Sequence, residues 1–237
     1  MIRKISPEIE RVYSQLRWVH LRTFRIIESV KAHFGREQVS KIIEKSGIGN
    51  SPLANEPDFF SLLNEKSAEV FLSELACSVE KYEAGIVTAL RRHVSIYREH
   101  VDEQILFGSR TAGQEAGRLF LSHSKPAIRQ RTHLDVPETV QAVFELTYSG
   151  LPGDKNYFLS LRPMGGCSVH FNRSPHLAPW AAVEAEPKFL YGIKSEWICG
   201  ILDILSPDTI FSTTSSLEHG NKYGLAHFHL RGQHAGP

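Results

Sequence analysis

The sequence predicts an α+β fold in which a helical N-terminal half packs with an antiparallel sheet from the C-terminal half. Three observations lead there. Apolar residues recur at three- and four-residue spacing from Ile9 to about Leu121, and the spacing shortens to two after Pro137. Glycine, proline and asparagine then punctuate the second half where hairpins need turns. With 237 residues, 41% hydrophobic and 22% charged, the chain can close one core. A single domain over 1–237 is expected, with a helical subregion over 1–125 and a sheet-containing one over 132–231.

Ser6, Pro7 and Glu8 read as an N-cap, a first-turn proline and a first-turn acid. Ile9, Val12, Leu16, Val19, Thr23, Ile26, Val30 and Phe34 follow on one stripe, so a long amphipathic helix runs to Gly35. A shorter helix runs from Arg36 to Gly47, where Gly-Ile-Gly-Asn-Ser-Pro opens a loop to about Asp58. Helical spacing returns from Phe59 to about Leu106, with a bend at Gly85, and again over Thr111 to Leu121. His20, His33, His93 and His100 in this half read as structural or surface histidines.

Beyond Pro137, Val140, Ala142, Phe144, Leu146 and Tyr148 alternate with polar residues and predict a strand over 139–149. The turn at Gly150 to Asp154 would pair it with a strand over 156–162, which Pro163 and Gly165-Gly166 end just before Cys167. Pro175, Pro179 and Pro187 confine 173–187 to a loop with a short helical piece around Trp180 to Ala185. Phe189, Leu190, Ile193, Trp197, Ile201 and Leu205 restore helical spacing. Strands near 209–217 and 222–231 follow, and the three strands 139–149, 156–162 and 222–231 are expected in one sheet.

Lysine and arginine total 27 against 26 acids, so no broad positive field exists to hold a phosphate backbone. The short basic runs at Arg91-Arg92 and Arg129 to Arg131 read as solvated faces, and nucleic acid is not an expected partner. No run of about 18 apolar residues occurs, and charges at Arg3, Lys4 and Glu8 replace a signal-peptide core. A cytoplasmic protein without a membrane partner is the expectation. Three cysteines, Cys77, Cys167 and Cys199, are too few and of odd number for a disulfide framework.

Three constellations carry the candidate chemistry. His227 and His229 share one face of the last strand with Arg231, opposite Ala226, Phe228 and Leu230. A metal there would need a third ligand such as Cys167, His170 or His219, and the adopted reading needs no metal and no cofactor. On the preceding helix Cys199 and Asp203 stand one turn apart, displaced from the Trp197–Ile201 stripe. A carboxylate alone raises a thiol's pKa, so activation of Cys199 requires an imidazole from His170, His219, His227 or His229, with Asp203 orienting it. Gly165 and Gly166 before Cys167 would admit a ligand to the backbone or merely form a turn.

Phe34-Gly35-Arg36-Glu37, Cys167 after a strand, Cys199-x3-Asp203, Leu217-x2-Gly220 and the terminal Phe-rich strand together resemble the L-2-amino-thiazoline-4-carboxylic acid hydrolase-like family. The resemblance spans most of the chain. It implies hydrolysis of a C–N or C–S bond in a small cyclic, amino-acid-related substrate, with Cys167, Cys199 and Asp203 as the carried-over positions. The C-terminal layout also resembles vinyl-reductase-type ligand-binding domains. On this reading Cys199 or Cys167 attacks, a histidine such as His227 or His229 moves the proton, and Asp203 orients it. Gly165, Gly166, His170, Trp197 and Arg231 would hold the substrate, and Arg162 is a second candidate for its carboxylate. A reactive Cys199 would alkylate at neutral pH. The alternative is a non-catalytic small-molecule-binding or sensor domain; either form is compatible with a homo-oligomer.

Overall fold

The computed structural model describes residues 6–54, 67–93, 97–124, 134–151, 157–161, 166–171, 174–213 and 224–230. In chain order these hold α1 (Pro7–Phe34), α2 (Arg36–Lys45), α3 (Ala68–His93), α4 (Arg98–His123), α5 (Val136–Leu146), β1 (Tyr157–Leu161), β2 (Cys167–Phe171), α6 (Leu177–Ala181), α7 (Pro187–Leu205), β3 (Thr209–Thr213) and β4 (Gly224–Leu230). The fold is α+β, as the change of period predicts. Helices dominate the described residues, and a four-stranded sheet lies in the C-terminal part.

α1 begins where its caps require. The Ser6 hydroxyl accepts the Ile9 N–H, Pro7 occupies the first turn, and Gly35 ends the helix at φ 93°, a conformation that a β-carbon disfavours. α3 runs unbroken through Gly85, where the Ile48 side chain packs 3.2 Å from the place a β-carbon would take. The helix expected over Thr111 to Leu121 is the C-terminal half of the longer α4. The helical piece near Trp180 lies slightly earlier than expected, in α6.

The strand expected over 139–149 is instead α5. The Asp135 carboxylate accepts the Glu138 N–H at 2.9 Å, Glu138 reaches back to the Asp135 N–H, and Pro137 sits in the first turn. This capping box nucleates a helix. Val136, Val140, Val143 and Leu146 are then buried at helical spacing, which outweighs the apparent alternation. The strand near 156–162 therefore pairs elsewhere: β1 forms its hairpin with β2, not with 139–149.

Sheet order is β1-β2-β4-β3, antiparallel throughout. The inner face, with Cys167, Val169, Ala226 and Phe228, packs on α5 and α7 through Val140, Val143, Trp197 and Ile201. A second cluster joins α1, α3, α4, α6 and α7 through Ile26, Ile86, Leu90, Ile105, Trp180 and Ile193. A third joins the first half of α1 to α3 through Val12, Leu16, Leu72 and Val79.

α4 and α7 approach each other closely. A β-carbon at Gly113 would lie 2.2 Å from the Trp197 carbonyl oxygen, and one at Gly200 would lie 2.1 Å from the Arg110 carbonyl oxygen. Backbone therefore meets backbone, and nothing larger than glycine fits at either position. The Ser109 hydroxyl donates to the Ile193 carbonyl at 2.7 Å, locking the register of the pair. This seam fixes where the next turn of α7, with Tyr191 and Lys194, faces.

Candidate functional site

Charged side chains lie inside the molecule where α1, α3, α6 and α7 converge. Arg22 of α1 and Glu83 of α3 form a two-pronged ion pair, each side chain 2% exposed, and Thr23 also donates to Glu83. One turn before Glu83 on α3, Glu80 accepts the Trp180 indole N–H at 2.9 Å through Oε2. Its other oxygen, Oε1, lies 3.0 Å from His176 Nδ1 and 3.6 Å from Lys194 Nζ, yet receives no well-aligned hydrogen bond. The Lys194 ammonium donates to His176 Nε2 at 2.7 Å, and the imidazole stacks on Trp180 with ring centres 5.3 Å apart. Both ring nitrogens are thus close to Nζ, with Nδ1 at 3.1 Å, so the imidazole lies between the Lys194 ammonium and the Glu80 carboxylate.

Burial and charge set the protonation states together. Burial pushes His176 down to about 4, with Lys194 and Arg22 acting the same way and Glu80 only partly opposing, so the ring is neutral near pH 7. Lys194 is brought down to about 8, first by burial and then by Arg22, against the pull of Glu80. Burial would raise Glu80, but His176, Lys194 and Arg22 outweigh it and hold the carboxyl well below the usual carboxylate range. Arg22 and Lys194 thus balance Glu80 and Glu83, and the buried cluster is electrically neutral with His176 uncharged. Removing one partner from such a set typically costs several kcal/mol, on the order of 3–5, because a charge is left uncompensated.

A cavity of about 80 Å³ opens on one end of this cluster. Val143, Phe144, Ile198, Phe211, Ala226 and Phe228 make its apolar walls, from α5, α7 and the inner face of the sheet. His176, Lys194 and Tyr191 line it on the side of the charged cluster, and the Tyr191 hydroxyl donates to Ser174 at 2.7 Å. Since about 10–15 Å³ holds one water, the space suits one small organic molecule. An apolar chamber with a few convergent polar groups is the usual form of a ligand site.

Those residues singled out from sequence that are described lie elsewhere. Among the described residues Asp203 meets no imidazole: its carboxylate accepts two hydrogen bonds from Arg110 at 2.8 Å and one from Gln114 at 3.0 Å, which keep its pKa low against burial. Cys199 is pushed up to about 11 by burial and by Glu196, with Arg110 opposing and Asp203 adding to the rise. The charged groups acting on it include no imidazole among the described residues, and His219 lies outside them. Cys167 is buried on the inner face of the sheet, where burial also raises its pKa. Trp197 is enclosed in the core, donating to Thr147 and lying 5.7 Å from the Arg22 guanidinium.

His227 and His229 do share a face of β4, opposite buried Ala226 and Phe228. Register places His170 and Ser168 of β2 on that same outer face, where the Ser168 hydroxyl meets His227 Nδ1 at 3.1 Å and Ser160 meets His170 Nε2 at 3.1 Å. The sheet therefore stands between these imidazoles and α7, which carries Cys199 and Asp203. Gly166 is described and buried; Gly165, Arg231, Arg162 and His219 lie outside the described residues. Among the described residues no three His, Cys, Asp or Glu side chains gather as a metal site, and no helix is long and apolar enough to cross a membrane.

Sequence reasoning missed Glu80, His176 and Lys194. A signal was present: Arg22, Glu83 and Lys194 interrupt apolar stripes, as in Val19-Arg22-Ile26, Val79-Glu83-Ile86 and Leu190-Lys194-Trp197. A charge on the buried stripe of a helix needs a buried partner, and the three helices supply one another. Comparisons of the chain with protein-family models, with curated proteins and with solved structures returned no match.

Proposed function

We propose that the chain binds a small, neutral, mainly apolar molecule in the cavity between α5, α7 and the sheet. One observation carries this reading: the chamber's walls are apolar, and the charged cluster beside it is already balanced. A neutral guest with one hydrogen-bond acceptor aimed at Lys194 keeps that balance. An anion would leave a net negative charge buried unless it arrived with a proton, and a cation would meet Lys194 and Arg22. Benzyl alcohol is a suitable probe. It should raise the thermal midpoint of the protein progressively with concentration, as mass action requires of a ligand for the folded state. Ile198→Trp, which fills the chamber from α7, should abolish the shift. A wild-type midpoint indifferent to benzyl alcohol and to other neutral guests of that size would reject the reading.

A second reading, hydrolysis of a small cyclic or amide-like compound, follows the family resemblance and is favoured by the Glu80–His176–Lys194 sequence of carboxylate, imidazole and amine at the chamber's end. Its proton-moving group would be His176, not His227 or His229, and it would not use Cys199. Turnover that survives Cys199→Ser and is lost in His176→Asn is the expected pattern.

A further inference from the structure

We infer that Lys194 is a reactive amine that condenses with a small aldehyde or ketone held in the cavity. The inference rests on the cavity being a ligand site and adds the chemistry of its ligand. Lys194 lines the apolar chamber, and its Nζ has a neutral imidazole nitrogen 2.7 Å away and a carboxylate oxygen 3.6 Å away. Amines become nucleophilic when an apolar surrounding and a nearby cation disfavour their charged form, and here burial and Arg22 act in that direction. The His176 ring, with both nitrogens within 3.1 Å of Nζ, is the base in reach of the ammonium proton, and Glu80 beside Nδ1 stabilises the imidazolium that forms. The carboxylate oxygen there is buried without a well-aligned hydrogen bond, so it has capacity for that role.

The steps balance. The Lys194 ammonium gives one proton to His176, and the freed lone pair forms an N–C bond at the carbonyl carbon as the C=O π pair moves to oxygen. Proton transfer from nitrogen to that oxygen gives a carbinolamine. His176 returns its proton to the hydroxyl, the C–O bond breaks, and water leaves as the nitrogen lone pair completes the C=N bond. Ammonium and carbonyl compound have become iminium and water, with one positive charge before and after. The buried cluster stays neutral at both ends of the reaction, which singles out a neutral carbonyl compound from the small molecules the chamber could hold.

The test uses the full chain, benzaldehyde as the carbonyl probe and sodium cyanoborohydride to reduce the iminium to a stable amine. Intact-mass analysis and peptide mapping should find one benzyl group, on Lys194, added at least ~10-fold faster than on any other lysine. Benzyl alcohol, which has the same shape without the carbonyl, should slow the addition, and Lys194→Met should remove it. Label spread over surface lysines with Lys194 unmodified, or Lys194 labelling indifferent to benzyl alcohol, overturns the inference. If benzyl alcohol raises the thermal midpoint but benzaldehyde leaves Lys194 unmodified, the imine fails and cavity binding stands. If neither occurs, both fail.

Discussion

His176 is neutral because burial, reinforced by Lys194 and Arg22, disfavours a charge there, and acid should reveal this. Its folded value of about 4 lies below the ordinary 6.5, so between those values the unfolded chain takes up a proton that the folded one refuses. Stability is therefore retained above pH 6.5 and falls as pH drops towards 4, by about 3 kcal/mol from this group alone. Urea midpoints measured from pH 7 to 4.5 should show that slope, and His176→Asn should flatten it. Cys199 offers a second residue-scale check. With its thiol near 11, iodoacetamide should modify it far more slowly at pH 7 than a free thiol, with the rate rising about tenfold per pH unit until the thiol ionises. Modification at the rate of an exposed thiol at pH 7 would contradict the assigned burial and charge. The sequence reading reversed this expectation because Cys199 and Asp203 were visible at helical spacing, whereas Arg110, which occupies Asp203, is 93 residues away.

Helices and strands were legible in proportion to the locality of their signals. α1, α2 and α7 follow from caps and apolar stripes within one segment. α5 carries its cap in Asp135 and Glu138, but Val140, Ala142 and Phe144 also fit alternation, and a short apolar run does not distinguish the two by period alone. The α4–α7 seam is local in neither helix. Small residues recur along α4 as Gly108, Ser109, Ala112, Gly113, Ala116 and Gly117, but only the facing helix gives them meaning. Gly113→Ala and Gly200→Ala should each force α4 and α7 apart and destabilise the protein by roughly 1–3 kcal/mol, although alanine is the better helix former. Lower denaturant midpoints for both, against a near-neutral Gly192→Ala on the same helix where a β-carbon meets only Leu106 at 3.8 Å, would establish that the cost is packing.

Across the whole molecule, α1, α3, α4 and α7 tie the parts together. α7 contributes Trp197 and Ile201 to the cluster under the sheet and Leu190 and Ile193 to the helical cluster, while α1 serves the helical cluster and its neighbour. Loss of any one cluster exposes residues of another, so the protein should unfold in one transition, with near-ultraviolet and far-ultraviolet dichroism falling together. Separated transitions would show that the sheet subregion stands alone. The α+β class was readable because it depends on periodicity, summed over the chain. The charged cluster was not, because it is assembled from four segments that sequence leaves far apart. The seam has one further consequence, for discrimination among guests. α7 is keyed to α4 backbone against backbone, so the side of the chamber made by Tyr191, Lys194 and Ile198 behaves as a fixed template. The opposite side includes residues 147–149, where the chain is neither helix nor strand. Selectivity should therefore be directional: a methyl group added to a guest on the side facing α7 is rejected, and the same methyl turned towards Tyr148 is accommodated.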